Sequence, residues 1–403
     1  MSGYDKKVPK LRFPGFTDEW EERRLGEVFE QTNKIVDPSR ENLELWSLTV
    51  ENGLTPKTAR YNREFLVKKN DQFKRVDSNE FIYNPMNMTL GAVDLNLTGK
   101  VVAVSGYYIT MMAKSNFNSK YFKLWLKTPI AIKNYKLYAT GSLIERQRVQ
   151  FPTLSQIKAY VPSTEEQQKI GSFFADFDRL ITLHQRKLDH LQDEKKSLLQ
   201  KMFPKNGTDV PEIRFPGFTD AWEQRKLGEF LTESKITGSD GLIAKKLTVK
   251  LWGKGVVPKL EKYEGSSATK YYIRHSGQFM YGKLDFLHAA FGIVPKELDG
   301  WESTLDSPAF DVDASCLNTR FLVETVLQDK FYLYQGNIAN GSRKAKRIHA
   351  DTFLVMPINV PSIEEQTKIG TFFQNLDHLI TLHQRKLDHL RKQKRALLQQ
   401  MFV

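Results

Sequence analysis

VPSTEEQQKIGSFFADFDRLITLHQRKLDHLQDEKKSLLQKMF at residues 161–203 returns as VPSIEEQTKIGTFFQNLDHLITLHQRKLDHLRKQKRALLQQMF at residues 360–402. Thirty of the 43 aligned positions are identical, including an unbroken LITLHQRKLDHL at 180–191 and 379–390. An earlier block repeats too: VPKLRFPGFTDEWEERRLGEVF from residue 8 matches VPEIRFPGFTDAWEQRKLGEFL from residue 210, an offset of 202. The chain is therefore an internal duplication, one frame written twice.

The later block reads as a long helix. Pro162 followed by Ser163-Thr164-Glu165-Glu166 resembles a capping box at its start. Apolar residues then recur at 4–3 spacing: Ile170, Phe174, Phe177, Ile181, Leu188, Leu191, Leu198 and Met202. The second copy gives Ile369, Phe373, Leu376, Ile380, Leu387, Leu390, Leu397 and Met401. A heptad stripe of this kind predicts a coiled-coil seam. The 33 residues from Ile170 to Met202 would span about 50 Å as a helix. Two such stripes in one chain predict that the helices pack on each other, antiparallel, as a two-fold related duplication allows. The two halves then close as a ring with the termini near each other. His184 with Lys195, and His383 with Lys394, interrupt the stripe and read as hydrogen-bonded seam histidines and snorkelling lysines.

Between the blocks the copies diverge. FIYNPMNM (81–88) stands opposite FMYGKLDF (279–286), FNSKYFKLWL (117–126) opposite LNTRFLVETV (317–326), and YATGSLIERQRV (138–149) opposite IANGSRKAKRIH (338–349). What persists is an aromatic-apolar alternation, a Gly-Ser pair and downstream basic residues. VVAVSGYYITMMA (101–113) and FLVMPINV (353–360) read as β-rich, and FNSKYFKLWLKT as a helix capped by Asn118 or Ser119. The expected class is α+β: two globular domains in pseudo-two-fold repeat, separated by two long antiparallel helices. The boundaries read as 1–163 for the first domain with its N-terminal arm, 164–203 for the central helix and 204–212 for a linker. The second domain then spans 213–362 and the C-terminal helix 363–403.

The chain has 403 residues, enough for two to three domains, and 40% apolar residues, enough for buried cores. Sixty Lys and Arg against 47 acids give a net charge of +13, which points to a polyanionic partner. No run approaches the ~18 apolar residues of a spanning helix, and MSGYDKKVPK has no apolar signal core, so the expectation is a cytoplasmic protein without a membrane partner. Cys316 is the single cysteine and reads as a small buried hydrophobe. Charge is uneven: residues 164–203 are neutral, residues 363–403 carry +3, and the remaining +10 lies in the divergent domains and their arms. The helices thus read as scaffold and the divergent parts as anion-binding surfaces.

The motifs of catalysis are missing. There is no G-x-x-x-x-G-K-[ST] phosphate loop and no G-x-G-x-x-G helix entry. Asn84-Pro85-Met86 is similar to the start of the Asn-Pro-Pro-aromatic segment of amino-methyltransferases. It lacks the second proline and the aromatic, so it reads as a turn. Asp220 with Glu233-x-Lys235 is a loose carboxylate-and-lysine pattern, absent from the first copy. Trp20, Trp222 and the FPGF phenylalanines read as core of the shared frame. The chain reads as a reader rather than a catalyst. A self-contained DNA-modifying enzyme or a basic coiled-coil RNA-binding protein are the rival readings.

The RFPGFT-x-x-W-E-x-R-x-LGE opening, the Gly-Ser turn with downstream basic residues and the VPS-x-EEQ-x-KIG-x-FF…LITLHQRKLDHL helix together resemble the specificity subunit of type I restriction–modification systems, over essentially the whole chain. The resemblance implies a non-catalytic subunit that binds a bipartite site in double-stranded DNA, one half-site per target recognition domain. It also implies docking of two methyltransferase (modification) subunits and of motor-nuclease (restriction) subunits. S-adenosylmethionine, ATP and Mg2+ would then be used by those partners, with no cofactor or metal bound by this chain. Candidate DNA-binding residues are Lys57, Arg60, Tyr61, Arg63, Arg146 and Arg148 in the first domain. In the second they are Lys245, Lys246, Lys250, Lys254, Arg343, Lys344, Lys346 and Arg347. Arginines suit guanine readout better than lysines because their fork is bidentate.

Overall fold

The computed structural model describes residues 8–57, 72–141, 147–205, 207–260, 266–340 and 347–402. By contacts the chain forms two compact units, residues 1–185 with 385–403, and residues 186–384. Both divisions fall inside long helices, the central helix Thr164–Lys201 and the C-terminal helix Ile363–Met401. Each unit therefore owns one globular domain, the first part of that domain's helix and the far end of the other.

In the N-terminal unit a four-stranded antiparallel sheet runs in the order Phe29–Thr32, Ile109–Ala113, Phe81–Tyr83, Val93–Leu95. Beside it lie a three-stranded sheet (Ile35–Val36, Phe73–Val76, Val102–Ser105) and a hairpin of Trp46–Thr49 with Gly53–Pro56. The second unit repeats this plan. Its larger sheet runs Leu231–Ser234, Ala309–Val312, Phe279–Tyr281, Phe291–Ile293. Its smaller one runs Thr237–Asp240, Lys270–Ile273, Glu302–Ser303, and its hairpin joins Leu247–Val249 to Val256–Pro258. The FIY and FMY triplets are the third strand of each large sheet and are buried on both faces. Alternation sends Phe81 and Tyr83 to the main core and Ile82 to a smaller core under the hairpin. Phe279 and Tyr281 part from Met280 in the same way.

The residues of the repeated VPS-x-EEQ-x-KIG motif each fasten the helix start to its domain. Ser163 Oγ accepts the Glu166 amide at 3.3 Å, half of the expected capping box. Glu166 does not return to the cap. Its carboxylate takes Arg12 Nε at 2.8 Å and Nη2 at 2.7 Å, with Trp20 Nε1 at 3.2 Å, because a bidentate charged fork is a stronger donor than a backbone amide. Arg214 grips Glu365 at the same 2.8 and 2.7 Å. Gln167 accepts from the Asn118 amide and Gln366 from the Asn318 amide, each at 2.9 Å. Asn118 caps Ser119–Trp125 by accepting from the Tyr121 amide. That cap presses on Gly171, where a Cβ would stand 2.8 Å from Asn118 Oδ1 and 3.1 Å from the Tyr121 nitrogen. Helix propensity alone would make Gly171→Ala stabilising by about 1 kcal/mol. The contact reverses the sign, and thermal unfolding of Gly171→Ala is expected to show a loss of ~1–3 kcal/mol.

The apolar stripe serves two purposes. Ile170 and Phe174 enter the first core, and Ile369, Phe373 and Leu376 the second, with Ile380 packed against it. The far ends cross over: Leu191, Met202 and Phe203 complete the second core with Leu198 against it, and Met401 and Phe402 complete the first with Leu397 against it. Phe177 lies 5.2 Å from Phe173, Ile181 is half-buried, and Leu188, Leu387 and Leu390 are buried. The helices run antiparallel within each unit. Asp178 accepts from Lys394 and Gln185 from Arg391 in the first, and Lys195 Nζ meets Asp377 Oδ1 at 2.8 Å in the second. Lys195–Asp377 and Lys394–Asp178 are the same pair in the two copies, one inside each unit. The seam lysines are thus ion-paired rather than snorkelling. Lys195 also lies 3.3 Å from Glu324 Oε2, and burial holds the Glu324 carboxyl above its ordinary range. The N-terminal arm joins the C-terminal helix through Leu11 N to Gln400 O at 3.0 Å, and Ile213 N to Lys201 O at 2.9 Å repeats that bond.

Three further expectations change. The FPGF phenylalanines are half-buried rather than core: Phe13 meets Phe173 edge-on at 5.4 Å and Phe215 meets Phe372 at 5.9 Å, in the third turn of each long helix. Trp20 and Trp222 are the buried anchors of that opening. Cys316 is exposed, because it sits in the turn after Asp313 whose carbonyl takes the Cys316 and Leu317 amides. Part of FLVMPINV is helical: Ala350–Leu354 precedes the strand Pro357–Val360 and stacks Phe353 on Phe279 at 5.8 Å.

Candidate nucleic-acid interface

In each unit the turn after the doubly buried strand meets the return of the basic loop, and in the second unit a hairpin tip joins them. The first segment is that turn. Asn84 Oδ1 accepts the Met86 amide at 3.0 Å, which makes Asn84-Pro85-Met86 a turn and leaves Met86 and Leu90 exposed. In the second unit Gly282–Ala290 occupies this place and presents Leu284 and His288 to solvent. The second segment is the return of the basic loop. Val149 N bonds Pro85 O at 2.9 Å, and Ile348 N bonds Lys283 O at 3.1 Å. Both loops after Gly-Ser therefore re-enter beside the same turn. Arg148, exposed, exchanges both backbone hydrogen bonds with Thr140. Arg347 Nη1 stands 3.3 Å from Asp306 Oδ1. Lys283 is buried and its ammonium is held below its usual range by desolvation, which Glu233 and Asp306 partly offset. Arg146, Arg343, Lys344 and Lys346 lie outside the described residues.

The third segment is the hairpin. Lys57 follows the first one, with its amide on Leu45 O, and Lys259 holds the same place in the second. Thr55-Pro56-Lys57 and Val257-Pro258-Lys259 are a repeat that the sequence reading passed over. Lys245 and Lys246 stand at the foot of the second hairpin. Lys246 is half-buried with Nζ 5.5 Å from the Tyr271 ring, so it packs as a cation on an aromatic face. Lys250 and Lys254 flank the tip and are exposed. Arg60, Tyr61 and Arg63 lie outside the described residues.

The tips differ between the units. The first turns through Val50-Glu51-Asn52, whereas the second runs Lys250-Leu251-Trp252-Gly253-Lys254-Gly255. Trp252 is 57% exposed and holds φ at 59°, a left-handed conformation that costs a bulky residue ~1–3 kcal/mol. Sequence reasoning missed it; the signal was a tryptophan between glycines and lysines. Its tip is pinned to the neighbouring turn by Trp252 N to His288 O at 2.8 Å and Gly253 N to Ala289 O at 2.9 Å.

The structure thus brings Lys250, Lys254 and the 282–290 turn together, and Arg347 beside that turn, but leaves Lys245 and Lys246 at the hairpin's foot. These faces are surfaces rather than clefts. Two cavities of the second unit, about 350 and 790 Å3, open beside Lys330 at the central helix instead. Among the described residues no group of three His, Cys, Asp or Glu could hold a metal ion. Glu233 pairs with Lys235 at 2.8 Å. Among the same residues no helix is long and apolar enough to cross a membrane.

Residues 17–193 match the family model described as the type I restriction modification DNA specificity domain. A curated chain of Methanocaldococcus jannaschii, named for the type I restriction enzyme MjaX specificity subunit, is 28% identical over 85 residues, 21% of this chain and 20% of that relative's length. The chain also superimposes on the crystal structure of a type I restriction-modification S subunit from M. genitalium with a TM-score of 0.64, at 13% identity, covering 98% of this chain and 99% of that one. That likeness is one of fold. Residues 17–193 are thus similar to a type I restriction–modification DNA specificity domain, and the frame of that segment recurs in the second half of the chain.

Proposed function

We propose that the chain is the non-catalytic reader of a type I complex, each unit recognising one half of a bipartite site in duplex DNA. One observation carries this reading: two units with the same strand order present different hairpin tips at the same place in the fold, and their sequences differ again after the Gly-Ser pair. A shared frame with unlike reading edges is what two unlike half-sites require. Arg148, Lys250, Lys254 and the basic residues after both Gly-Ser pairs supply phosphate contacts in this reading. Two methyltransferase subunits and motor-nuclease subunits would bring S-adenosylmethionine, ATP and Mg2+ chemistry. The central helix, 38 residues and about 57 Å long, would set the spacing of half-sites that recur on one DNA face every ~34 Å.

The test is an exchange. Residues 32–160 are replaced by the corresponding segment of another specificity subunit, and the chain is co-expressed with its methyltransferase. Methylated motifs are then read from genomic DNA. One half of a split motif is expected to change while the other half and the spacer stay. A motif that changes in both halves, or in neither, overturns the assignment of one half-site to each unit.

A further inference from the structure

Trp252 is at odds with its own fold. The left-handed backbone it adopts favours glycine, and Gly253 and Gly255 on the same tip show that glycine is used there, at φ of 65° and 79°. Yet the largest side chain in the repertoire takes the strained position and places most of its surface in water. Among the described residues it joins neither core of its unit, and its one ring contact is edge-on with exposed His288, at 5.7 Å and 81°. Packing therefore gives no reason for an indole here.

The backbone beneath it is fixed from both sides. A Cβ on Gly253 would meet Leu327 Cδ2 at 2.7 Å, and one on Gly292 would meet Gly255 Cα at 2.8 Å. Lys250 N closes the tip on Gly255 O at 2.9 Å. A rigid aromatic on a pinned turn, with an exposed lysine two residues away on each side, suits a polyanion that carries apolar faces between its charges. Duplex DNA is such a ligand where its thymine methyl groups line the major groove between the phosphates. The equivalent tip of the first unit, Val50-Glu51-Asn52, has neither the ring nor the lysines.

We propose that Trp252 contacts the bases of the half-site read by the second unit, its indole packed on base edges in the groove, with Lys250 and Lys254 on the flanking phosphates. The inference rests on the reading of this chain as a duplex-DNA recognition subunit. It makes the two units unlike in mechanism as well as in target: one hairpin reads with an aromatic side chain, the other without.

The experiment selects duplexes from a pool with a randomised stretch, using the full chain in complex with its methyltransferase subunit. Wild type, Trp252→Gly and Trp252→Phe are compared, and thermal unfolding is followed in parallel. Trp252→Gly is expected to keep the base preferences of one half-site and lose them at one or two positions of the other. Its affinity for the wild-type duplex should fall about tenfold, the scale of one base-edge contact. Its melting temperature should be unchanged or higher, since glycine suits the left-handed turn, and Trp252→Phe should restore part of the preference. Unchanged preferences in Trp252→Gly overturn the proposal. So does equal weakening on selected and random duplexes, which would mark a phosphate-positioning role, and so does a lower melting temperature with preferences intact, which would mark a structural one. If the wild-type complex enriches no motif at all, the recognition reading itself fails and the inference with it.

Discussion

Phe402→Ala, a change at the far end of the C-terminal helix, is expected to destabilise the N-terminal unit. Phe402 is 5% exposed and belongs to the first core, where its ring lies 5.4 Å from Tyr121 and 6.4 Å from Trp20. Removing a buried phenylalanine costs about 3–5 kcal/mol through lost transfer energy and the cavity left behind. The loss should be local, because Phe203 holds the same place in the other core, 5.5 Å from Phe321 and 5.6 Å from Trp222. Hydrogen exchange resolved by peptide checks this. Phe81–Tyr83 and Ile109–Ala113 should lose protection in Phe402→Ala while Phe279–Tyr281 keeps it. Equal loss in both units, or none, would contradict the division of the helices between them.

Arg12→Ala should be of similar size for a different reason. The Glu166 side chain is 1% exposed and Arg12 is its one charged partner among the described residues, with Trp20 as a third donor. Deleting the guanidinium leaves a carboxylate that is desolvated and unpaired, which costs about 3–5 kcal/mol. An exposed pair would cost no more than ~1 kcal/mol. The double variant Arg12→Ala/Glu166→Gln removes the orphan charge and is expected to recover much of the loss. Chemical denaturation of the three proteins separates the cases: a loss below ~1 kcal/mol in Arg12→Ala, or no recovery in the double variant, would show that the pair does not lock arm to helix. Arg214 and Glu365 repeat the geometry, so Arg214→Ala should mirror the result in the second unit.

The duplication and the long helices were legible because both are written in period and identity. The fastening of the EEQ motif was not, since a capping box and an arginine partner make the same demand on Glu166 and only the fold brings Arg12 to it. A heptad stripe likewise cannot say where a helix leaves its partner for a globular core. Ile170 and Phe174 look like Leu188 in sequence, yet the first two serve the core of the domain that precedes them. Cys316 was misread because burial statistics for cysteine ignore the turn that holds it. At the candidate interface the lysines of the second hairpin were visible, but their value was not: Lys246 packs on Tyr271, while Lys250 and Lys254 stand free of the sheet beside a tryptophan whose backbone angle no sequence displays.

The most direct measurement is the methylome of cells expressing this chain with the methyltransferase subunit of its own system, beside cells expressing each alone. The account predicts one split motif of fixed spacing when both are present and no motif-specific methylation from either alone. A contiguous motif, or methylation by this chain without a partner, would contradict it.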